Sequence, residues 1–282
     1  MLSRLTVLAL LIFTACDQAS APEITAQTTP APSQPALGEV RSGTVIDVID
    51  GDSLRVEVDG QEVEVRLMGI NTPERDECGG ERATTALQDM ALGRTVTISW
   101  EELDQFGRAL AYVDVGDGLD VAAAQLSTGN AVAFSIDHPR FERYAEDEAD
   151  AVSSALGMWA PSCQPASDAS VRIAALVYDP AGPDGDNRNG EQLGIRNEGA
   201  AAVELTDWVL RDESTQWRYR FPVGFTLQPG DGVVVHTGCG RDSADELFWC
   251  ADDPLWNNGG DTALLLDAGG NVVDRWVYGP KG

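Results

Sequence analysis

Lysine is almost missing from this chain of 282 residues. Lys281 is the only one, set beside 18 arginines and 46 acidic residues, for a formal net charge of −27. No stretch of the sequence supplies the basic patch or stripe usual in a protein that grips nucleic acid through its phosphates. Histidine is scarce as well. His138 and His236 stand alone and no C-x-x-C occurs, which disfavours a nitrogen- and sulfur-ligated zinc site. Both histidines read as structural. No apolar run is long enough to cross a bilayer as a helix, since the segment Leu5 to Phe13 falls far short of about 20 residues. The acidity is spread along the chain: residues 39–163 carry 25 acidic and nine basic side chains, and residues 164–282 carry 19 and nine. Such a surface suits a saline habitat, an expectation that rests on composition alone.

The first residues read as an export signal. Arg4 precedes the apolar core Leu5 to Phe13, and Ala15 closes it with a small residue before Cys16. The ending Phe13-Thr14-Ala15-Cys16 resembles a bacterial lipobox, with an unusual Phe at its first position. That resemblance implies a signal over residues 1–16, a lipidated Cys16 and attachment to the bacterial cell membrane, with ordinary cleavage nearby and secretion as the alternative. Residues 17–38 are rich in Ala, Pro, Thr, Gln and Ser and poor in large apolar side chains, the composition of a disordered linker. Four cysteines remain. An even number in an exported chain favours disulfides, Cys78 with Cys163 and Cys239 with Cys250, against the alternative of free buried thiols.

Three blocks carry the chemistry. They are Val48-Ile49-Asp50-Gly51-Asp52-Ser53-Leu54, then Val65 to Glu74 (VRLMGINTPE), then Asp104 to Tyr112 (DQFGRALAY). A phosphodiester resists attack because its anionic oxygens repel a nucleophile, so catalysis is mainly positioning and electrostatic stabilisation. Asp52, the Asn71 side chain and the Thr72 main-chain oxygen are hard ligands suited to Ca²⁺ or another hard cation that keeps some waters. Glu74, two residues on, is placed to act as general base toward water. Arg66 and Arg108 offer planar forks to phosphate oxygens. Each block alone has a blander reading: Asp-Gly-Asp as a hairpin turn, Asn-Thr-Pro-Glu as a helix-entry cap, and an arginine on an alternating strand as a solvated face.

Together the blocks resemble the thermonuclease (micrococcal-type nuclease) family, whose pattern is a D-G-D-[TS] turn, then R-L-x-x-[IV]-[DN]-[TA]-P-E, then [YF]-G-R-x-L-A-Y, in this order. The resemblance covers residues 39–165. It implies an OB-fold barrel, Ca²⁺ held by Asp52, Asn71 and Thr72, Asp50 behind them, and a catalytic group of Arg66, Glu74 and Arg108. It further implies hydrolysis of DNA and RNA to 3′-phosphate products with little sequence preference. The departures matter. Asn71 stands where the best-known member has Asp, which removes one negative charge and predicts weaker metal affinity. Gln105-Phe106 replaces a Lys-Tyr pair. Phe134 aligns with one of two nucleotide-contacting tyrosines and keeps a ring for stacking on a base, whereas Ile136 aligns with the other and cannot stack.

The coarse pattern supports a barrel with interleaved helices: strands at 45–49, 54–58, 63–68, 95–100 and 109–115, and helices at 81–91, 121–127 and about 141–156. From Ser170 the texture changes to short strands with turns every eight to twelve residues, which predicts a β-sandwich. Segments such as Tyr178-Asp179-Pro180, Leu205 to Asp212 (LTDWVLRD) and Trp256 to Asp261 (WNNGGD) resemble a lamin-tail domain of bacterial type over residues 168–282. This implies an immunoglobulin-like fold and a binding or tethering role. The acidic loop Asp179 to Glu191 fails the EF-hand spacing, because Arg188 occupies a ligand position, and reads as solvated. Trp208, Trp217, Trp249, Trp256 and Trp276 read as sandwich core. The expected fold class is an α+β OB-fold nuclease domain followed by an all-β immunoglobulin-like sandwich. The expected function is an exported Ca²⁺-dependent nuclease acting on DNA and RNA and tethered through Cys16. The alternative is a catalytically weak nucleic-acid- or surface-binding lipoprotein.

Overall fold

The computed structural model describes residues 40–104, 106–165, 170–214 and 216–279. The expected signal, Cys16, the linker over 17–38 and Gln105 lie outside the described residues.

The first half is a barrel built from alternating strands. β1 (Val40–Val48), β2 (Ser53–Val58) and β3 (Gln61–Leu67) form a meander. On β2, Leu54, Val56 and Val58 are buried, whereas Arg55 and Glu57 face outward, the period-2 signature of a half-buried strand. The short β4 (Ile70–Asn71) follows, then α1 (Gly80–Ala91), whose Ala83, Leu87 and Ala91 form one buried stripe at four-residue spacing. β5 (Thr95–Leu103) pairs with β1, and β6 (Ala109–Val115) pairs with β5. β6 then runs parallel to β3 and closes the barrel, with Arg66 opposite Leu110. That register brings Arg66 and the segment just before Ala109, which includes Arg108, to neighbouring places on one rim. β7 (Leu119–Asp120), α2 (Val121–Ser127), β8 (Val132–Ala133) and α3 (Phe141–Ser153) complete this half, and β8 pairs with β4. His138 is buried among Tyr112, Phe141 and Tyr144, with Nδ1 at 2.9 Å from the Tyr112 hydroxyl.

The second half is all-β. One sheet holds β9 (Val171–Val177), β10 (Gln192–Asn197), β15 (Gly232–His236) and β16 (Glu246–Phe248). The other holds β12 (Val209–Arg211), β13 (Arg218–Arg220), β17 (Asp261–Leu266) and β18 (Val272–Tyr278). A small ribbon pairs β11 (Val203–Glu204) with β14 (Thr226–Leu227). Trp208 and Trp256 are buried in the core between the sheets, and Trp217 and Trp249 pack against it. Trp276 does not join them: it lies on the edge strand β18 and is 36% exposed. The loop expected to be solvated ends in a fully buried carboxylate, because Glu191 accepts from Leu255 N and Trp256 N at 2.9 Å each. Both disulfides are formed, Cys78–Cys163 and Cys239–Cys250.

A third apolar cluster joins the halves. Val132, Ala151, Met158 and Trp159 of the barrel half pack on Val209, Leu264, Leu266 and Val272 of the sandwich. All six residues of β17 are buried, because one face looks into the sandwich and the other onto the barrel half. Beside this cluster the fully buried Arg211 forms a two-pronged pair with Glu77, 3.1 Å on each prong. Arg275 reaches Glu148 at 3.2 Å. Removing one partner of a pair as buried as Arg211–Glu77 leaves an uncompensated charge and costs about 3–5 kcal/mol.

Candidate active site

A cleft of about 400 Å³ opens at the barrel rim. The turn after β1 supplies Asp50 and Asp52, the end of β3 supplies Arg66, and β4 with its following loop supplies Asn71, Thr72 and Glu74. The turn before β6 supplies Arg108, and the loop after β8 supplies Phe134. Every site residue expected from the three blocks, Phe134 included, lines this one cleft.

Two glycines allow the approach of these segments. A Cβ on Gly51 would sit 2.6 Å from both Thr72 Oγ1 and Ala83 Cβ, so only glycine lets the Asp50–Asp52 turn tuck under Thr72 and α1. A Cβ on Gly80 would collide with the main-chain carbonyl of Glu74, so glycine also seats α1 against the segment that carries the expected base. Gln125, buried on α2, holds the same turn by donating to Gly51 O at 2.7 Å and Ala83 O at 2.8 Å.

Asp52 is the hub. Its Oδ2 accepts from Thr72 N at 2.8 Å and Thr72 Oγ1 at 3.0 Å, and Arg66 Nη2 lies 3.1 Å away. Its Oδ1 accepts from Ser53 Oγ at 3.1 Å. Arg66 is itself buried. It donates through Nη1 to the carbonyls of Leu67 and Ile70, and through Nη2 to Asn71 Oδ1 at 2.7 Å. Its guanidinium carbon stands 6.0 Å from the centre of the Phe134 ring. Asp50 Oδ1 accepts from Asp52 N. Burial, and then the neighbouring charge of Asp52, push the Asp50 carboxyl up to about 6.

These oxygens fit a hard cation. Asp52 Oδ2 and Asn71 Oδ1 both face one positive point, the Arg66 Nη2 group. The buried Asn71 Nδ2 has no hydrogen-bond partner. Among the described residues no three His, Cys, Asp or Glu side chains group as a metal cluster. A cation held by Asp52, Asn71 Oδ1 and the Thr72 main-chain oxygen would meet hard oxygen donors only, which suit a hard cation better than a softer metal.

Glu74 is exposed in the cleft, and its main-chain N donates to Glu77 Oε2 at 3.2 Å. Arg108 is held by Asp104: Nε donates to Oδ2 at 2.7 Å, and Asp104 Oδ1 accepts from the main-chain N of Phe106 and Arg108 at 2.9 Å each. Burial alone would raise the Asp104 carboxyl, but the hydrogen bonds from Arg108 and Phe106 outweigh it and hold the group below its ordinary value. Phe106, 71% exposed, packs its ring 5.5 Å from the Arg108 guanidinium carbon.

Sequence reasoning assigned no role to several residues here. Asp104 was visible beside the Gly-Arg pair, four residues from the arginine it orients. Arg75, which donates to Ile49 O at 2.9 Å, also lines the cleft. Ser214 and Gln216 line it from the second half of the chain, and nothing in the sequence links them to it.

Comparison with known proteins bears on the family of the chain. The sequence model described as staphylococcal nuclease homologue matches residues 64–161, and that described as lamin tail domain matches residues 164–280. Among similar proteins, the one named protein ParB of Escherichia coli is 36% identical over 141 residues, which cover 45% of this chain and 76% of that protein. A micrococcal nuclease of Shigella flexneri is 30% identical over 142 residues, covering 47% and 81%. A protein named uncharacterized endonuclease of Escherichia coli O157:H7 is 32% identical over 99 residues, covering 35% and 65%. The chain belongs to the staphylococcal nuclease homologue family, with a lamin tail domain following the nuclease-type barrel.

Proposed function

We propose that this protein is an exported, Ca²⁺-dependent nuclease that hydrolyses DNA and RNA to 3′-phosphate products with little sequence preference. The observation that carries the reading is the convergence of Asp52, Asn71, Thr72, Arg66, Glu74, Arg108 and Phe134 in one cleft. The family membership supports nuclease chemistry in general terms.

A Ca²⁺ ion held by Asp52, Asn71 Oδ1 and the Thr72 main-chain oxygen would supply positive charge to the phosphate and polarise the attacking water. Glu74 takes a proton from that water as it attacks phosphorus. Arg66 and Arg108 set their planar forks against the equatorial phosphate oxygens, whose charge grows in the transition state. For Arg66 this requires the guanidinium to turn from Asp52 and Asn71 toward the substrate. The bond from phosphorus to the 5′ oxygen breaks, that oxygen takes up a proton, and the phosphate stays on the 3′ side. Phe134 offers a face on which a base stacks.

Export and a lipid anchor at Cys16 form part of the same proposal. The signal-like first residues support it, as do two disulfides of the kind that persist in oxidising compartments.

The test is cleavage of single-stranded DNA and of RNA by the full-length chain, with Ca²⁺ and with chelator, and with the product ends identified. Glu74→Gln is expected to reduce turnover by about a hundredfold or more with the fold intact, as loss of a general base does. Cleavage that survives chelation, or normal turnover by Glu74→Gln, would defeat the assignment.

A further inference from the structure

Both sides of the cleft are tied to the second half of the chain through carboxylates. On one side Glu77 Oε1 accepts from Arg211 Nε at 3.1 Å and pairs with Arg218 Nη1 at 2.8 Å. Its Oε2 accepts from Arg211 Nη2 at 3.1 Å and from the main-chain N of Glu74 at 3.2 Å. A carboxylate has about four acceptor sites, so the group that fixes the Glu74 segment is filled, and the sandwich provides three of its four donors. On the other side Glu213, itself buried, accepts from both donors of one residue, Ser135 N at 2.6 Å and Ser135 Oγ at 3.0 Å. Ser135 sits between Phe134 and Ile136, both of which line the cleft. Between the two anchors, Ser214 and Gln216 enter the cleft wall.

All of these second-half residues belong to β12, β13 and the loop joining them. The loop is braced in turn: Ser214 Oγ donates to Asp212 at 2.8 Å, and Glu213 N donates to Asp261 Oδ1 at 3.2 Å. The apolar cluster beneath Val209 and Leu264 presses the same sheet onto the barrel half. Tethering alone would need only a flexible connection between the two parts. It would not need a buried arginine on the loop of the general base, nor a buried glutamate on the loop of the stacking ring.

We propose that the lamin tail domain is a working part of the nuclease site. Arg211, acting through Glu77, is a positioning residue for Glu74, and Glu213, acting through Ser135, is a positioning residue for Phe134. Ser214 and Gln216 form a wall against which a single nucleic-acid strand lies. The proposal rests on the nuclease reading above and adds to it that the barrel half is incomplete without the second half.

The two anchors serve different steps, so they separate in kinetics. The experiment uses the full-length chain with Ca²⁺ and a single-stranded DNA substrate. Glu77→Met combined with Arg211→Met replaces the buried pair by apolar groups of similar size, an exchange that often leaves stability intact, and removes the acceptor of Glu74 N. It is expected to lower kcat about tenfold or more with KM within about twofold, since small misplacement of a reacting group is costly. Ser135→Ala and Glu213→Gln loosen the Phe134 side and are expected to raise KM several-fold with kcat within about twofold. A general loss of stability would not divide the two constants in this way. As a second measurement that needs no interface variant, hydrogen exchange is followed in Glu74→Gln with Ca²⁺ and a thymidine oligonucleotide. Slower exchange on binding is expected in the peptide that carries Ser214 and Gln216.

Wild-type protein that fails to cleave DNA defeats the nuclease reading itself. Wild-type cleavage, together with folded variants that keep both constants, overturns the proposal alone. If the double variant does not fold, the Ser135 and Glu213 variants and the exchange experiment decide: unchanged KM and no protection at Ser214 and Gln216 overturn the proposal, and raised KM with protection upholds it.

Discussion

Arg108 Nε donates to Asp104 Oδ2 at 2.7 Å, and the other oxygen of the same carboxylate closes the turn that carries the arginine, accepting from Arg108 N and Phe106 N. One acid thus sets both the backbone and the side-chain direction of the arginine proposed to face the phosphate. With Nε engaged, the two terminal nitrogens of the guanidinium are the ones that would meet phosphate oxygens in the proposed mechanism. Asp104→Ala should leave the barrel folded, because the site is at a rim turn, yet lower kcat by about tenfold as Arg108 loses its orientation. Asp104→Asn keeps an acceptor and should fall between. Arg108→Ala, which removes the charge itself, should cost about a hundredfold. Steady-state kinetics on the three variants check the order. Equal rates for Asp104→Ala and wild type would remove Asp104 from the account.

The barrel, and the grouping of the candidate site residues in one cleft, were legible because their signals are local. Alternation on β2, the stripe of α1 and the Asp-Gly-Asp turn each lie within a dozen residues, and strand pairing then brings the three motif blocks together. What escaped depends on distant sequence. Glu77 and Arg211 are 134 residues apart, and Ser135 and Glu213 are 78 apart, so neither pair has a periodicity or a spacing to betray it. One clue was present. Ala263-Leu264-Leu265-Leu266 is a continuous apolar run, the mark of a strand covered on both faces, and it signalled that something besides the sandwich lies against β17. Trp276 shows the opposite error: an aromatic residue suggests core, but β18 is an edge strand and presents it outward.

The proposed metal ligands give a second prediction. Asn71 contributes an amide oxygen that now faces Arg66, and Asn71→Asp would add a negative ligand to a set with one carboxylate. Calcium affinity, read as the concentration giving half-maximal cleavage and directly by calorimetry, should tighten. Asp52→Ala should nearly abolish binding and also free Arg66 and Thr72 from their shared acceptor. Unchanged calorimetric titrations for both variants would place the metal elsewhere.

Stability should carry a pH signature from the loop between the two anchors. Asp212 is buried, and desolvation, followed by the charge of Asp261, raises its carboxyl well above the ordinary value. Glu213 adds to the repulsion, while the Ser214 hydroxyl and the charge of Arg211 act in the opposite direction. The folded state holds this proton at pH values where the unfolded chain has released it. The contribution is therefore fully present below the unfolded value of about 4 and is lost as pH rises toward the folded value. Asp212→Asn keeps an acceptor for Ser214 Oγ without the charge. It should raise Tm at neutral pH, with a gain that shrinks toward pH 4. Thermal melts of both proteins across that range provide the check, and a gain independent of pH would assign the effect to packing instead.

Ionic strength gives the last prediction. Binding of a protein to DNA ordinarily weakens with salt, because neutralised phosphates release counterions. Here residues 39–163 carry 25 acidic against nine basic side chains, and a polyanion must approach that surface. At low salt the long-range repulsion opposes encounter. Added salt shortens the Debye length to about 8 Å at 0.15 M and about 3 Å at 1 M, so repulsion from the outer surface fades first. The contacts within the cleft, Arg66, Arg108 and the proposed cation, act over a few ångströms and persist longer. Cleavage at saturating Ca²⁺ should therefore rise with NaCl to a maximum above physiological strength before falling. Initial rates over a NaCl series decide the matter. A rate that declines steadily from the lowest salt would mean that local arginines, with Arg75 beside Arg66 and Arg108 in the cleft, dominate the encounter despite the net charge, and the inference of a saline habitat would lose its support.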